Sequence, residues 1–193
     1  MLTLFTWGYW GWGNSTRELV RRIDAAEKKS GFDAPVFVDI RVQRAVRAEG
    51  FNGSAFEQVA GPERYWWLPS LGNRNVKANK PGIRIADPYS ARTLLDLAIH
   101  YERQNRRIYF FCACKEFRWC HRKKVANLVR KEAGRRHRRI RILEWPGIDL
   151  MLAHNGWIGS CPSQVVDARR SLWRAIKLAD SNNMTAAFST SQR

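Results

Sequence analysis

Two short runs of apolar residues, Val36-Phe37-Val38 and Ile108-Tyr109-Phe110-Phe111-Cys112, lack any alternation of apolar with polar side chains. A strand with one wet face alternates, whereas a strand covered on both faces reads as an unbroken run. Such runs, separated by segments of helical period, are expected for parallel strands joined by helical crossovers. Leu2 to Thr6 reads as a first strand stopped at Trp7-Gly8. Ser15-Thr16-Arg17-Glu18 then reads as a capping box, ahead of Leu19, Val20, Ile23 and Ala26 at helical spacing and a closing Gly31. Pro35 to Asp39 is the second strand, Tyr65 to Leu68 the third, Arg107 to Cys112 the fourth, and the alternating Arg139 to Leu143 a partly exposed fifth. Helices are expected from Ser90, with Ala91, Leu94, Leu95, Ala98 and Ile99 on one face, and from His121 to Ala133, closed by Gly134. Arg41 to Gly61 reads as loop with a short helical turn, and Arg74 to Ile85 as a polar, basic flap. The fold class is therefore α/β, a mostly parallel sheet of about five strands with helices on both faces. Residues 1–145 make up that domain, and 146–193 a C-terminal extension with one helix, Val165 to Leu178, and a polar tail.

Charge narrows the choice of partners. Among 193 residues, 34 Lys and Arg stand against 17 Asp and Glu, a net charge of +17 and an isoelectric point near 10.6. A cationic surface gains free energy by releasing counterions from phosphates, so nucleic acid is the expected partner. The charge is uneven: Arg118 to Arg141 holds eleven basic residues and one acid, Glu132. This segment lacks the bulky apolar face of an interfacial helix, which speaks against a membrane partner. The nine tryptophans fit nucleic acid in part. Trp7, Trp10 and Trp12 lie among glycines and Trp119 between Arg118 and Cys120, settings that suit stacking on unpaired bases, with core burial as the competing role. The first residues carry neither a basic n-region nor a long apolar run, and four cysteines, three of them clustered, do not form a disulfide framework. A cytoplasmic location is the expectation.

In a parallel sheet, ligands collect at the carboxyl ends of the strands. Just past the expected strands lie Trp7, Gly8 and Tyr9, then Asp39 and Arg41, then Gly72 and Asn73, then Cys112 to Arg122. Glycines at 8, 11, 13 and 72 would let backbone approach a flipped base, with Trp7 or Tyr9 stacked on it. Asp39, ending a buried strand, is either half of an ion pair with Arg41 or a group that stabilises the cationic sugar, or activates water, as an N-glycosidic bond breaks. Cys112, Cys114, Cys120 and His121 together supply four N/S donors. Their spacing departs from the usual knuckle of roughly two to four intervening residues, so neither a metal nor another cofactor is expected. Cys120 at a helix start, beside Arg118, His121 and Arg122, has the setting of a lowered thiol pKa. The same helix start, with His121 and Arg122, suits a phosphate. The cysteines stay open between nucleophile, ligand and inert buried thiol.

Four ordered segments, TWGY (Thr6 to Tyr9), VDIR (Val38 to Arg41), LPSLGN (Leu68 to Asn73) and CACKEFRWCHR (Cys112 to Arg122), resemble the family catalogued as domain of unknown function 488 over about residues 2 to 145. That family shows a TIGY-like start, a VDVR-like strand end, an LP-x-LGG turn and a cysteine followed by CHR. Its members have been proposed to act on modified nucleic acid, which is what the resemblance implies here. Cys114 stands where the family usually carries an acid, with Glu116 displaced, and Asn73 where a second glycine is common. Both departures fall at the expected site, so specificity is expected to differ.

The leading expectation is an enzyme that acts on DNA as a glycosylase, cleaving the N-glycosidic bond of a modified base. Asp39, His121 and Cys120 would be catalytic. Trp7, Gly8, Tyr9, Arg41, Gly72, Asn73, Cys112 and Arg122 would surround the substrate. Trp10, Trp12, Arg74, Lys77, Arg118, Trp119, Lys123, Lys124, Arg135, Arg136, Arg138 and Arg139 would follow the nucleic acid. The alternatives are a cysteine-dependent sulfur or redox enzyme and a non-catalytic nucleic-acid-binding module.

Overall fold

The computed structural model describes residues 1–10, 12, 13 and 15–145. The helix expected at 165–178 and the polar tail lie outside the described residues. Five parallel strands form one sheet: β1 (Leu2–Gly8), β2 (Val36–Asp39), β3 (Tyr65–Trp67), β4 (Ile108–Cys112) and β5 (Ile140–Glu144), in the spatial order β3-β2-β4-β1-β5. The helices are α1 (Thr16–Lys29), α2 (Ala55–Ala60), α3 (Arg74–Lys77), α4 (Ala91–Glu102) and α5 (His121–Arg135). This is an α/β fold.

Side chains alternate across each strand. On one face Leu4, Val36, Val38, Ile108, Phe110 and Cys112 pack with Leu94, Leu95 and Ala98 of α4 and with Val125 and Val129 of α5. On the other, Trp7, Phe37 and Phe111 meet Phe51 and Phe56, the latter on α2. The unbroken apolar runs are explained by this double coverage: β2 and β4 are buried at every position. β1 and β4 are neighbours, but the chain leaves β1 toward α1 and β4 toward α5, helices on opposite faces. A parallel sheet opens a crevice at such a switch point, beyond the carboxyl ends of the strands.

Three local expectations are corrected. Ser15 caps α1 without a side-chain hydrogen bond; its N–H donates to Trp12 O (2.8 Å), and Glu18 reaches forward to Arg21 and Arg22 rather than closing a capping box. Gly134 lies inside α5, and the left-handed residue that ends the turn is His137, at φ 51°. Residues 74–85 are not an open flap. Asn73 Oδ1 accepts from the backbone of Asn75 (3.2 Å) and Arg84 (2.9 Å), its Nδ2 donates to Gly82 O (3.1 Å), and its own backbone bridges to Ile85.

Candidate functional site

The segments 6–9, 38–41, 68–73 and 112–122 lie at the ends of β1, β2, β3 and β4, along one edge of the sheet. Strand alternation then divides their side chains between the two faces.

The α1/α2 face holds a closed ion-pair network. Asp39 is fully buried, and both its oxygens are committed. Oδ1 accepts from Arg41 N (3.0 Å) and Nε (2.8 Å), and Oδ2 from Arg41 Nη2 and from Tyr65 OH (2.8 Å). Arg41 uses its remaining nitrogen on Phe51 O (2.8 Å) and Tyr9 OH (3.2 Å). Burial and the adjacent carboxylate hold the Tyr65 phenol well above its ordinary pKa. Burial alone would make Arg41 easier to deprotonate, but its bonds to Asp39 outweigh that and keep it charged. A carboxylate with no free lone pair and no exposure has neither a substrate to touch nor a proton to take. The catalytic role expected for Asp39, and the substrate contact expected for Arg41, are therefore replaced by a structural pairing.

Trp7 and Tyr9 are corrected for the same reason. Trp7 is buried among Phe51, Phe56 and Phe111, and Tyr9 lies flat on Phe51 with ring centroids 4.0 Å apart, so neither offers a face to a base. Gly72 serves packing, since a Cβ there would lie 2.5 Å from Val42 N. Asn73, nearly buried, is spent on the turn already described.

The α4/α5 face carries the sulfur. Cys112 ends β4, Cys120 caps α5, His121 is the first residue of that helix, and the exposed Cys114 lies on the loop between. One ligand atom from each of Cys112, Cys114, Cys120 and His121 falls within 4.8 Å of all the others. The Cys112 and Cys120 sulfurs are 3.2 Å apart, and Cys120 Sγ is 3.6 Å from His121 Nδ1. The sequence spacing that counted against a metal does not count against it here, because the strand end and the helix cap fold the loop back on itself. Arg122 is fully buried and reaches Cys120 Sγ through Nε (3.4 Å) and Cys114 O through Nη2 (3.0 Å). It braces this cluster and is not the solvent-facing phosphate ligand expected from its place at a helix start.

Gly8 makes the cluster sterically feasible. A Cβ at that position would lie 1.7 Å from Cys114 O, so only glycine lets the loop cross the end of β1. Burial pushes the Cys112 thiol pKa up, while hydrogen bonds from Cys112 and Cys114 and the neighbouring imidazole push that of Cys120 well down. Burial disfavours a charged His121, yet its contacts with the Cys114 and Cys120 thiols win and raise its pKa to about 9.

The expected nucleic-acid contacts divide as well. Arg135 and Arg136 pair with Glu132, Arg136 also with Asp96, and Arg138 with Glu102, so three cations at the end of the basic run are held by acids. Trp10 and Trp119 are 66% and 72% exposed, and the Arg118 guanidinium lies 4.5 Å from the Trp119 ring centre. Trp12, half-buried, faces Trp145 instead. Lys77 and Lys123 are exposed on α3 and α5, and Arg139 just before β5. An open groove of about 540 Å³ runs between residues 83–88 and α5, walled by Arg74, Arg84, Lys124 and Lys131, with no acid among its lining residues. Lys131 belongs to the basic run of Arg118 to Arg141, whereas Arg84 has as its only sequence signal the basic segment after Asn73, whose fold back onto α5 is set by tertiary bonds such as Lys124 Nζ to Ile83 O (2.8 Å).

No family model matches this chain, and neither a curated protein nor a solved structure does. No helix among the described residues is long and apolar enough to cross a membrane.

Proposed function

We propose that this chain is a nucleic-acid-binding protein, with DNA as its target, and that it belongs to the domain of unknown function 488 family on the strength of its four ordered segments. The observation that carries the binding reading is the groove of about 540 Å³ walled by four exposed cations. Arg74, Arg84 and Lys131 pair with no acid among the described residues, so their charge is available to phosphates, unlike that of Arg135, Arg136 and Arg138. The exposed Trp119 ring beside Arg118 supplies a surface on which an unpaired base can stack. With Asp39 locked to Arg41 and Tyr65, the function proposed is binding rather than N-glycosidic cleavage.

Fluorescence anisotropy with labelled single-stranded and duplex DNA, read across a salt series, tests this. Each phosphate contact contributes about 0.9 to the slope of log affinity against log salt for duplex and about 0.7 for single strands. Replacing Arg74, Arg84, Lys124 and Lys131 by glutamine should lower that slope by about 3. The same number of changes at Arg135, Arg136, Arg138 and Arg139 should lower it less. An unchanged slope in the groove variant refutes the reading.

A further inference from the structure

We propose that Cys112, Cys114, Cys120 and His121 form a structural zinc site that ties the end of β4 to the start of α5. This inference does not depend on nucleic acid. Four ligand atoms within 4.8 Å of one another match the donor set of a closed Cys₃His centre. With zinc–sulfur bonds of about 2.3 Å, a tetrahedral site has ligand–ligand edges near 3.8 Å, so the longest edge here closes by about 1 Å. The three sulfurs and one imidazole select zinc over the oxygen-seeking magnesium and calcium.

Three features outside the ligands point the same way. First, His121 Nε2 lies 3.2 Å from Ile40 O. A carbonyl only accepts, so Nε2 carries the proton and Nδ1, the nitrogen facing Cys120, keeps its lone pair when the ring is neutral. Second, backbone N–H groups support the sulfurs: Cys114 N donates to Cys112 Sγ (3.3 Å) and Arg122 N to Cys120 Sγ (3.4 Å). Third, the fully buried Arg122 guanidinium has an Nη1 without a hydrogen-bond partner among the described residues, and Glu144, the carboxylate paired with it, is 3.8 Å away. A buried cation needs a counter-charge close by. Three thiolates on a divalent ion leave one net negative charge, placed against Arg122. Coordination releases the thiol protons to solvent and leaves no ligand position open for substrate, which makes the role structural rather than catalytic.

The test uses the full 193-residue chain, expressed without a metal-binding tag and kept reduced. Elemental analysis should find one zinc per chain. After zinc is stripped, cobalt(II) titration should saturate at one equivalent, with the intense visible bands of a tetrahedral thiolate complex, and added zinc should bleach them. Cys114 is the exposed ligand, so Cys114→Ser should leave the fold intact. It should cost more metal affinity than the ~10–100-fold typical of losing a supporting hydrogen bond. A reduced wild-type chain with neither zinc nor cobalt bands overturns the proposal, as does a Cys112–Cys120 disulfide whose reduction restores no metal uptake. A cobalt spectrum identical in Cys114→Ser overturns the four-ligand site.

Discussion

Asp39→Asn separates a catalytic carboxylate from a structural one. The substitution keeps shape and removes the charge. In a glycosylase relying on Asp39, turnover would collapse while the protein stayed folded. The geometry gives the opposite result. The two carboxylate oxygens take bonds from Arg41 N, Nε and Nη2 and from Tyr65 OH, all donors. An amide has one oxygen to offer and turns an NH₂ donor toward the others. Arg41, with 6% of its side chain exposed, is left as a buried cation without a counter-ion. Breaking a buried pair in this way costs about 3–5 kcal/mol. For a chain of this size that lowers Tm by roughly 6–20 °C. It lowers the urea midpoint by about 2 M if m is near 2 kcal/mol/M. Far-UV circular dichroism in urea measures it directly. Replacing both partners, as Asp39→Leu with Arg41→Met, should cost much less than the sum of the single changes, because no charge is left buried. An unfolding free energy for Asp39→Asn within about 0.5 kcal/mol of wild type would refute the structural assignment.

Two further substitutions address the edge. Gly8→Ala forces backbone to move, since the new Cβ would meet Cys114 O at 1.7 Å. A loss of about 1–3 kcal/mol in denaturant unfolding is expected, together with weaker cobalt binding. Trp119→Ala should leave the unfolding midpoint unchanged, because the ring is 72% exposed, yet weaken single-stranded DNA binding by about 1–3 kcal/mol in anisotropy titrations.

What the sequence makes legible follows from how local each cause is. The apolar runs of β2 and β4 announce a doubly covered sheet because burial on two faces leaves its mark residue by residue. The carboxyl edge was legible too, since it needs only the strand ends. The face on which each edge residue points was the harder part. Asp39 and Arg41 look catalytic in sequence, and only the approach of Tyr65 from β3 and Phe51 from the loop shows that the pair is sealed. For Trp7 and Tyr9 the neighbouring glycines suggest stacking surfaces, with core burial the competing role for the tryptophan; burial is what the fold selects, and the rings that impose it, Phe51, Phe56 and Phe111, lie tens of residues away. Linear spacing speaks against a metal at the cysteine cluster, yet a strand end and a helix cap bring Cys112 and Cys120 together across seven intervening residues.

The tripeptide Asp39-Ile40-Arg41 joins these pieces. Alternation sends Asp39 and Arg41 to one face, where the backbone N–H of Arg41 and its guanidinium both close on the carboxylate. Ile40 is left in the opposite core, its N–H bonded to Phe111 O (3.0 Å) and its carbonyl accepting from His121 (3.2 Å). One stretch of backbone therefore fixes the direction of β2 beyond its last strand residue, ties it to β4, and orients the imidazole at the start of α5. The buried ion pair needs no catalytic task to account for its cost. The Ile40 carbonyl, between the paired Asp39 and Arg41, accepts from His121 Nε2 and so leaves Nδ1 turned toward Cys120.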